Sequence, residues 1–272
     1  MTGAPDARPS LDEARLTSGL AETPDLVLEL LAECPSTNQV AADRAREGAP
    51  DGLLVVADHQ TSGRGRLDRG WESPAGTAVT FSLLLRPDLP AAAWPWLPLL
   101  TGHTVAKALA AWGYDARLKW PNDVLVDGLK VAGILAERVD TDDGPAAVIG
   151  VGINVAMSAD ELPVPTAGSL SLVRPDPAPD REDLLLAAAT TLREGYDAWR
   201  AGGRPGQERL AASYVAHCAT VGQQVRVALP GGSSLTGRAV DVDADGRLVV
   251  EGEYGTERVA AGDVVHVRPD QT

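Results

Sequence analysis

A chain of 272 residues, 44% of them apolar, can bury one large core with an appendage or two medium ones, and it excludes a single small module. Its formal charge of −14 opposes non-specific nucleic-acid binding unless a basic patch is segregated, so no nucleic-acid partner is expected. The N-terminus has no signal-type apolar region and no run approaches about 18 apolar residues, so a soluble cytoplasmic protein without a membrane partner is expected.

In chain order, residues 1–24 are polar, with scattered Pro and Gly and a short helix near Leu11–Leu20, and read as a loosely attached, flexible leader. Leu26–Glu33 reads as a strand. Ser36-Thr37-Asn38-Gln39 opens a helix ending near Gly48, with Ser36 and Gln39 in capping-box register. The strands Leu53–Ala57 and Thr77–Leu85 flank a glycine-punctuated loop, and Ala91–Gly113 reads as a buried helix. Arg117–Trp120, Val124–Val126, Val131–Arg138 and Ala146–Val155 are short strands, with Asp127-Gly128 a hairpin turn. Residues 160–180 are proline-rich and irregular; Arg181–Arg200 is helical, and Gly202–Gly206 breaks it. From Gly222 the texture becomes five strands, Gln223–Leu229, Leu235–Val242, Arg247–Glu251, Thr256–Ala260 and Val264–Val267, the pattern of a small accessory barrel. The larger part is α+β, and the expected division is a leader (1–24), a main domain (25–218) and the barrel (219–272).

Three segments carry chemistry. The loop Gln60-Thr61-Ser62-Gly63-Arg64-Gly65-Arg66-Leu67-Asp68-Arg69-Gly70-Trp71 joins glycines, which let backbone N–H groups approach anionic oxygens, to arginines with planar five-donor forks. Lys119-Trp120-Pro121-Asn122-Asp123 presents a cation, an aromatic ring, an amide and a carboxylate from one rigid bend. The Asp127-Gly128 hairpin would bring Lys130 back beside it, and Gly150-Val151-Gly152-Ile153-Asn154-Val155 ends a strand with glycines and an amide. Of 24 basic residues only Lys107, Lys119 and Lys130 are lysines, and Asn38, Asn122 and Asn154 are the only asparagines. Four of these six fall in these segments and a fifth, Asn38, in the Ser36–Gln39 helix start, which raises their standing as functional residues.

Ser36-Thr37-Asn38, Gln60, the Gly63–Trp71 loop, Lys119–Asp123, Lys130-Val131-Ala132-Gly133-Ile134-Leu135 and Gly150–Asn154 together resemble the biotin–protein ligases, or biotin–[acetyl-CoA-carboxylase] ligases, in order and approximate spacing. The resemblance runs from about residue 26 to the end. It implies a mixed-sheet catalytic domain with flanking helices, like the class II synthetases and lipoate ligases, and an SH3-like C-terminal barrel. It implies an AMP-forming enzyme using ATP, Mg²⁺ and biotin, with the biotin carboxyl carrier domain of a carboxylase as partner. Biotin would be adenylated to biotinyl-5′-AMP and passed to a lysine of that domain by a monomer or weak homodimer. By the same resemblance Lys130 and Arg66 would be catalytic. Ser36, Thr37, Asn38, Gln60, Arg64, Gly65, Arg66, Lys130 and Gly133 would bind biotin. Arg66, Arg69, Trp71, Lys119, Asn122, Asp123 and Asn154 would bind ATP. No metal ligands are identified.

Plainer readings stand beside these. Ser36 and Gln39 can simply cap a helix, worth about 1 kcal/mol. Trp71 and Trp120 can be core aromatics, Asp123 a turn residue and Asn154 a strand-end cap. Lys107 reads as a snorkelling surface residue and Cys34 as small core packing, and the wide spacing of Cys34 and Cys218 suggests neither a disulfide nor a zinc knuckle. Some relatives add an N-terminal winged helix for repression, but only about 25 residues precede the first strand, so the expected form lacks it. A lipoate or octanoate ligase or transferase of the same superfamily is the alternative, although its arginine and glycine loop differs and neither cysteine suits the transferase chemistry. A biotin-accepting carrier would need a lysine between methionines, and Met1 and Met157 have no such neighbour. Leu67 and Asp68 depart from the basic residues often found at that point of the loop.

Overall fold

The computed structural model describes residues 8–23, 25–66, 69–174, 178–230 and 232–267. In chain order the elements are α1 (Glu13–Gly19), β1 (Val27–Cys34), α2 (Thr37–Arg46), β2 (Leu53–Gln60), the two-residue pair β3 (Gly63–Arg64) and β4 (Gly70–Trp71), and β5 (Ala78–Leu85). There follow α3 (Trp96–Ala110), β6 (Ala116–Lys119), β7 (Asp123–Val126), β8 (Leu129–Thr141), β9 (Gly144–Asn154), α4 (Leu170–Val173), α5 (Arg181–Ala201) and α6 (Gly203–His217). The chain ends in β10 (Gln224–Ala228), β11 (Ser234–Val242), β12 (Leu248–Gly252), β13 (Gly255–Val259) and β14 (Asp263–His266).

Seven strands form a mixed sheet in the order β1-β2-β5-β9-β8-β7-β6. Only β1 and β2 pair in parallel, because α2 carries the chain back between them; the other pairs are antiparallel. β5 lies centrally, and all eight of its residues are buried, which explains an apolar run broken only by Thr80 and Ser82. The small faces of Ala41, Ala42 and Ala45 seat α2 on one side of the sheet, against Leu84 and Val148. α3 and α5 cover the other side, where Phe81, Leu100, Leu109, Ile149 and Leu184 share one core. Each such side chain contributes roughly 1.5–3 kcal/mol by leaving water.

The five strands expected as a barrel form one antiparallel sheet in the order β13-β12-β11-β10-β14. It is fastened to the main domain by indole donors: Trp96 Nε1 to the Ala244 carbonyl at 2.7 Å and Trp120 Nε1 to the Gly246 carbonyl at 3.0 Å. Val225, Val227 and Val250 belong to the same buried core as α3 and α5.

Three expectations change. The described part of the leader is not loosely attached: Asp12 caps α1, Arg15 reaches Glu182 at 2.7 Å, and Leu16 is fully buried. Residues 1–7 and 24 lie outside the described part of the chain. Gly202–Gly206 ends α5 but begins α6, which sequence patterning hid because only Gly206 and Tyr214 of that helix are buried. The irregular 160–180 stretch holds the short α4.

Candidate active site

The hairpin and the strand ends converge on one pocket with about 740 Å³ of empty space, its open mouth included. Its polar floor comes from the start of α2 and the end of β2. Ser36 stands at the N-cap, yet its side chain makes no capping bond, and Gln39 turns to Asp43 instead, so the expected capping box does not form. The Thr37 N–H and hydroxyl donate to Gln60 Oε1 at 2.7 and 3.0 Å, which fixes the amide and leaves the Gln60 NH₂ for another acceptor. Asn38 donates through Nδ2 to the Leu135 carbonyl (3.2 Å) and to Glu137 Oε2 (2.7 Å), and its Oδ1 accepts from Ser82 at 2.6 Å. Gly150 makes room for this amide, because a Cβ there would stand 2.0 Å from Asn38 Oδ1. The result is a buried set of fixed donors and acceptors, suited to a compact polar head that offers both.

The charged wall is the arginine loop. Arg64 reaches Glu137 at 2.9 Å, and Arg66 donates to Asn122 Oδ1 at 3.0 Å and to the Gly262 carbonyl at 3.1 Å. Arg69 pairs with Asp263 of the C-terminal sheet. Burial pulls the Arg66 guanidinium down from its ordinary pKa, while Asp263 and Asp123 push it back up; guanidinium remains charged. Trp71 lies over Gly152, where a Cβ would meet the indole at 2.4 Å, and its buried Nε1 has no partner among the described residues.

The β7–β8 turn has Asp127 and Gly128 both at positive φ (50° and 78°), the geometry of a tight two-residue hairpin. It sets Leu125 opposite Lys130. Lys130 Nζ then sits 2.6 Å from Asp123 and 5.8 Å from the Trp71 ring centre. Asn154, 5% exposed, donates to the Gly168 carbonyl, and the Thr166–Gly168 segment is itself paired with the Lys130 backbone. Arg64, Arg66, Arg69 and Lys130 thus face Glu137, Asp123 and Asp263, four cations against three carboxylates, within a strongly acidic protein. An anionic ligand can exchange places with those carboxylates.

Ser36, Thr37, Asn38, Gln60, Arg64, Gly65, Arg66, Arg69, Trp71, Asn122, Asp123, Lys130 and Gly133 all line the pocket. Lys119 and Asn154 do not: Lys119 lies opposite Asp123 in the β6–β7 pair, and Asn154 acts behind the Lys130 strand. Trp120 follows the plainer reading, 1% exposed and bonded to Gly246. Leu67 and Asp68 lie outside the described residues. Sequence reasoning missed Ser82 and Glu137, which sit in ordinary strands, and Asp263, 194 residues beyond Arg69. A serine in a central strand that is otherwise apolar but for Thr80 was the available signal for Ser82. No group of three or more His, Cys, Asp or Glu side chains that could hold a metal occurs among the described residues. Cys34 and Cys218 are free and buried, and burial raises both thiols, which disfavours the thiolate form a nucleophile needs.

Residues 30–154 match the biotin/lipoate A/B protein ligase family, and residues 220–267 match the biotin protein ligase C-terminal domain. The chain is 42% identical to a biotin–[acetyl-CoA-carboxylase] ligase of Mycobacterium tuberculosis, over 98% of this chain and all of that one. Among solved structures it is similar to the biotin protein ligase of Aquifex aeolicus in complex with biotin and ATP, with a TM-score of 0.74, 30% identity, and coverage of 89% of this chain and 99% of the other. It is also similar to the biotin protein ligase of Leishmania major in complex with biotinyl-5-AMP, with a TM-score of 0.59, 27% identity, and coverage of 86% and 98%.

Proposed function

The chain belongs to the biotin protein ligase family, and on that premise we propose that this pocket carries both half-reactions of a biotin–protein ligase. Biotin has a ureido head that donates and accepts hydrogen bonds and an acid tail. Ser36, Thr37, Asn38 and Gln60 receive the head, with Arg64, Gly65 and Gly133 closing around it, and the tail runs to Lys130. In the first step a biotin carboxylate oxygen attacks the α-phosphorus of ATP, the bond to the bridging oxygen breaks, and pyrophosphate leaves. Lys130 exchanges Asp123 for the carboxylate and α-phosphate, holding two anions together as they react, and Arg66 takes phosphate charge. Arg69, Trp71, Asn122 and Asp123 lie on the nucleotide side. Lys119 and Asn154 support this arrangement from outside the pocket.

In the second step the amine of a carrier-domain lysine attacks the acyl carbon of biotinyl-5′-AMP and AMP leaves. The arginine loop, tied to Gly262 and Asp263, keeps water from the mixed anhydride between steps. Residues 25–218 form the catalytic unit, and the C-terminal sheet, β10 to β14, within the 219–272 domain anchors this loop. Mg²⁺ retains waters and takes one or two carboxylates beside substrate phosphates. Asp123, freed from Lys130, fits it as a ligand, and the ion would supply further charge neutralisation on those phosphates.

The observation that carries the reading is the shared pocket: a polar cradle pinned by Gln60 and Asn38 faces Lys130 and Arg66. Incubation with ATP, Mg²⁺ and equimolar biotin, lipoate and octanoate, followed by mass spectrometry, is expected to yield biotinyl-AMP alone. Adenylation of lipoate or octanoate with none of biotin would overturn the substrate.

A further inference from the structure

Glu137 is not part of the pocket wall; it lies behind the arginine loop, in a depression it shares with Arg64, Arg69 and Leu135. One of its oxygens, Oε2, nevertheless serves two elements: it accepts from Asn38 Nδ2 at 2.7 Å and from Arg64 at 2.9 Å. The two contacts differ in weight. Arg64 and Glu137 are partly exposed, and an ion pair in contact with water is worth little. Asn38 is 3% exposed, and a bond from a buried amide to a carboxylate is among the stronger kinds. Glu137 therefore acts chiefly through Asn38.

A side-chain amide has two N–H donors and two lone pairs on its oxygen. The groups facing Asn38 Nδ2 are the Leu135 carbonyl and the Arg64-paired Glu137 carboxylate, which only accept, so the amide stands with its NH₂ toward β8. Its Oδ1 accepts from Ser82 at 2.6 Å and lies against Gly150. Among the described residues both N–H groups are thus occupied and one lone pair is left, so a ligand beside Asn38 meets an acceptor and no donor. Gln60 is the complement, its oxygen taken by Thr37 and its NH₂ left over. We propose that Glu137 is a positioning residue for head-group specificity: by engaging an Asn38 N–H it holds this amide as an acceptor. The site then selects a head with an N–H at that point and rejects an otherwise identical head with a bare oxygen there. The inference rests on the biotin-ligase reading and assigns the recognition of one ureido N–H within it. Without Glu137, only the longer bond to the Leu135 carbonyl, at 3.2 Å, opposes turning of the amide.

Adenylation kinetics are measured with biotin and with its two cyclic carbamate analogues, in each of which one ureido N–H is replaced by a ring oxygen. The parent protein is expected to favour biotin in kcat/KM over at least one carbamate by at least about thirtyfold. Glu137→Ala and the bulkier Glu137→Leu, which also lacks the oxygen, should each narrow that ratio at least about tenfold, with the KM for ATP and kcat at saturating biotin within about threefold of the parent. Arg64→Ala, which retains the carboxylate, should keep the ratio within about threefold. A merely structural role for Glu137 would lower activity toward all three acids alike and leave the ratio unmoved. Biotin adenylation by the parent, combined with an unmoved ratio in both Glu137 variants, with no discrimination in the parent, or with an equal collapse in Arg64→Ala, overturns this inference and leaves the ligase reading standing. A parent protein that adenylates no biotin overturns both.

Discussion

At the scale of single residues, the pocket depends on side chains that are already committed before a ligand arrives. Gln60 is held by Thr37, Asn38 by Ser82 and Glu137, and Lys130 by Asp123. Their type and spacing made Thr37, Asn38, Gln60 and Lys130 legible in the sequence. Ser82 and Glu137 were not legible, because their meaning is a contact and not a motif. The glycines are the negative image of the site: Gly150 and Gly152 matter for what they leave room for. Gly150→Ala puts a methyl group into Asn38 and displaces its buried hydrogen bonds, so the KM for biotin is expected to rise about tenfold or more, with some loss of thermal stability. An unaltered KM would mean that the Asn38 amide does not contact the substrate. Tyr196 has another kind of commitment. Its buried hydroxyl has no partner among the described residues, and burial foremost, aided by Asp51, pushes its pKa up to about 12. The folded protein therefore keeps a proton that the unfolded phenol releases near pH 10. The stabilisation is present in full below that pH and is lost as pH climbs toward about 12. Urea unfolding of Tyr196→Phe should show a decline shallower by on the order of 2–3 kcal/mol across that window; parallel declines would refute the assignment.

At the scale of elements, strands and hairpins were readable because their signals are local. The alternation of apolar runs with Asp127-Gly128 and the C-terminal glycine turns located β7, β8 and β10–β14 to within a few residues. The existence of α6 and the docking of α1 were not, whereas the α1 helix itself was expected near Leu11–Leu20. α6 begins Gly-Arg-Pro-Gly and buries little, so neither capping nor periodicity announced it. α1 is short, and its docking rests on Leu16 and on Arg15 with Glu182, contacts with a helix far along the chain. Leu16→Ala should therefore cost about 2–5 kcal/mol in chemical denaturation. A change near zero would restore the picture of a loose leader.

At the scale of the whole molecule, charge and connectivity tell opposite stories until the fold is known. A net −14 conceals a pocket where four cations outnumber three carboxylates, and it gives no hint that Asp263 of the last strand meets Arg69. The order of motifs along the chain foretold which segments assemble. It could not foretell that the C-terminal sheet, fastened through Trp96 and Trp120, would reach across to hold the arginine loop. No helix among the described residues is long and apolar enough to cross a membrane. The central claim concerns the ammonium of Lys130 between two reacting anions, and single-turnover formation of biotinyl-AMP tests it most directly. With saturating biotin and ATP, Lys130→Ala is expected to form the intermediate at least about a hundredfold more slowly than the parent protein, while transfer from preformed biotinyl-AMP to the carrier lysine is impaired far less. Adenylation at the parent rate in that variant would contradict the account.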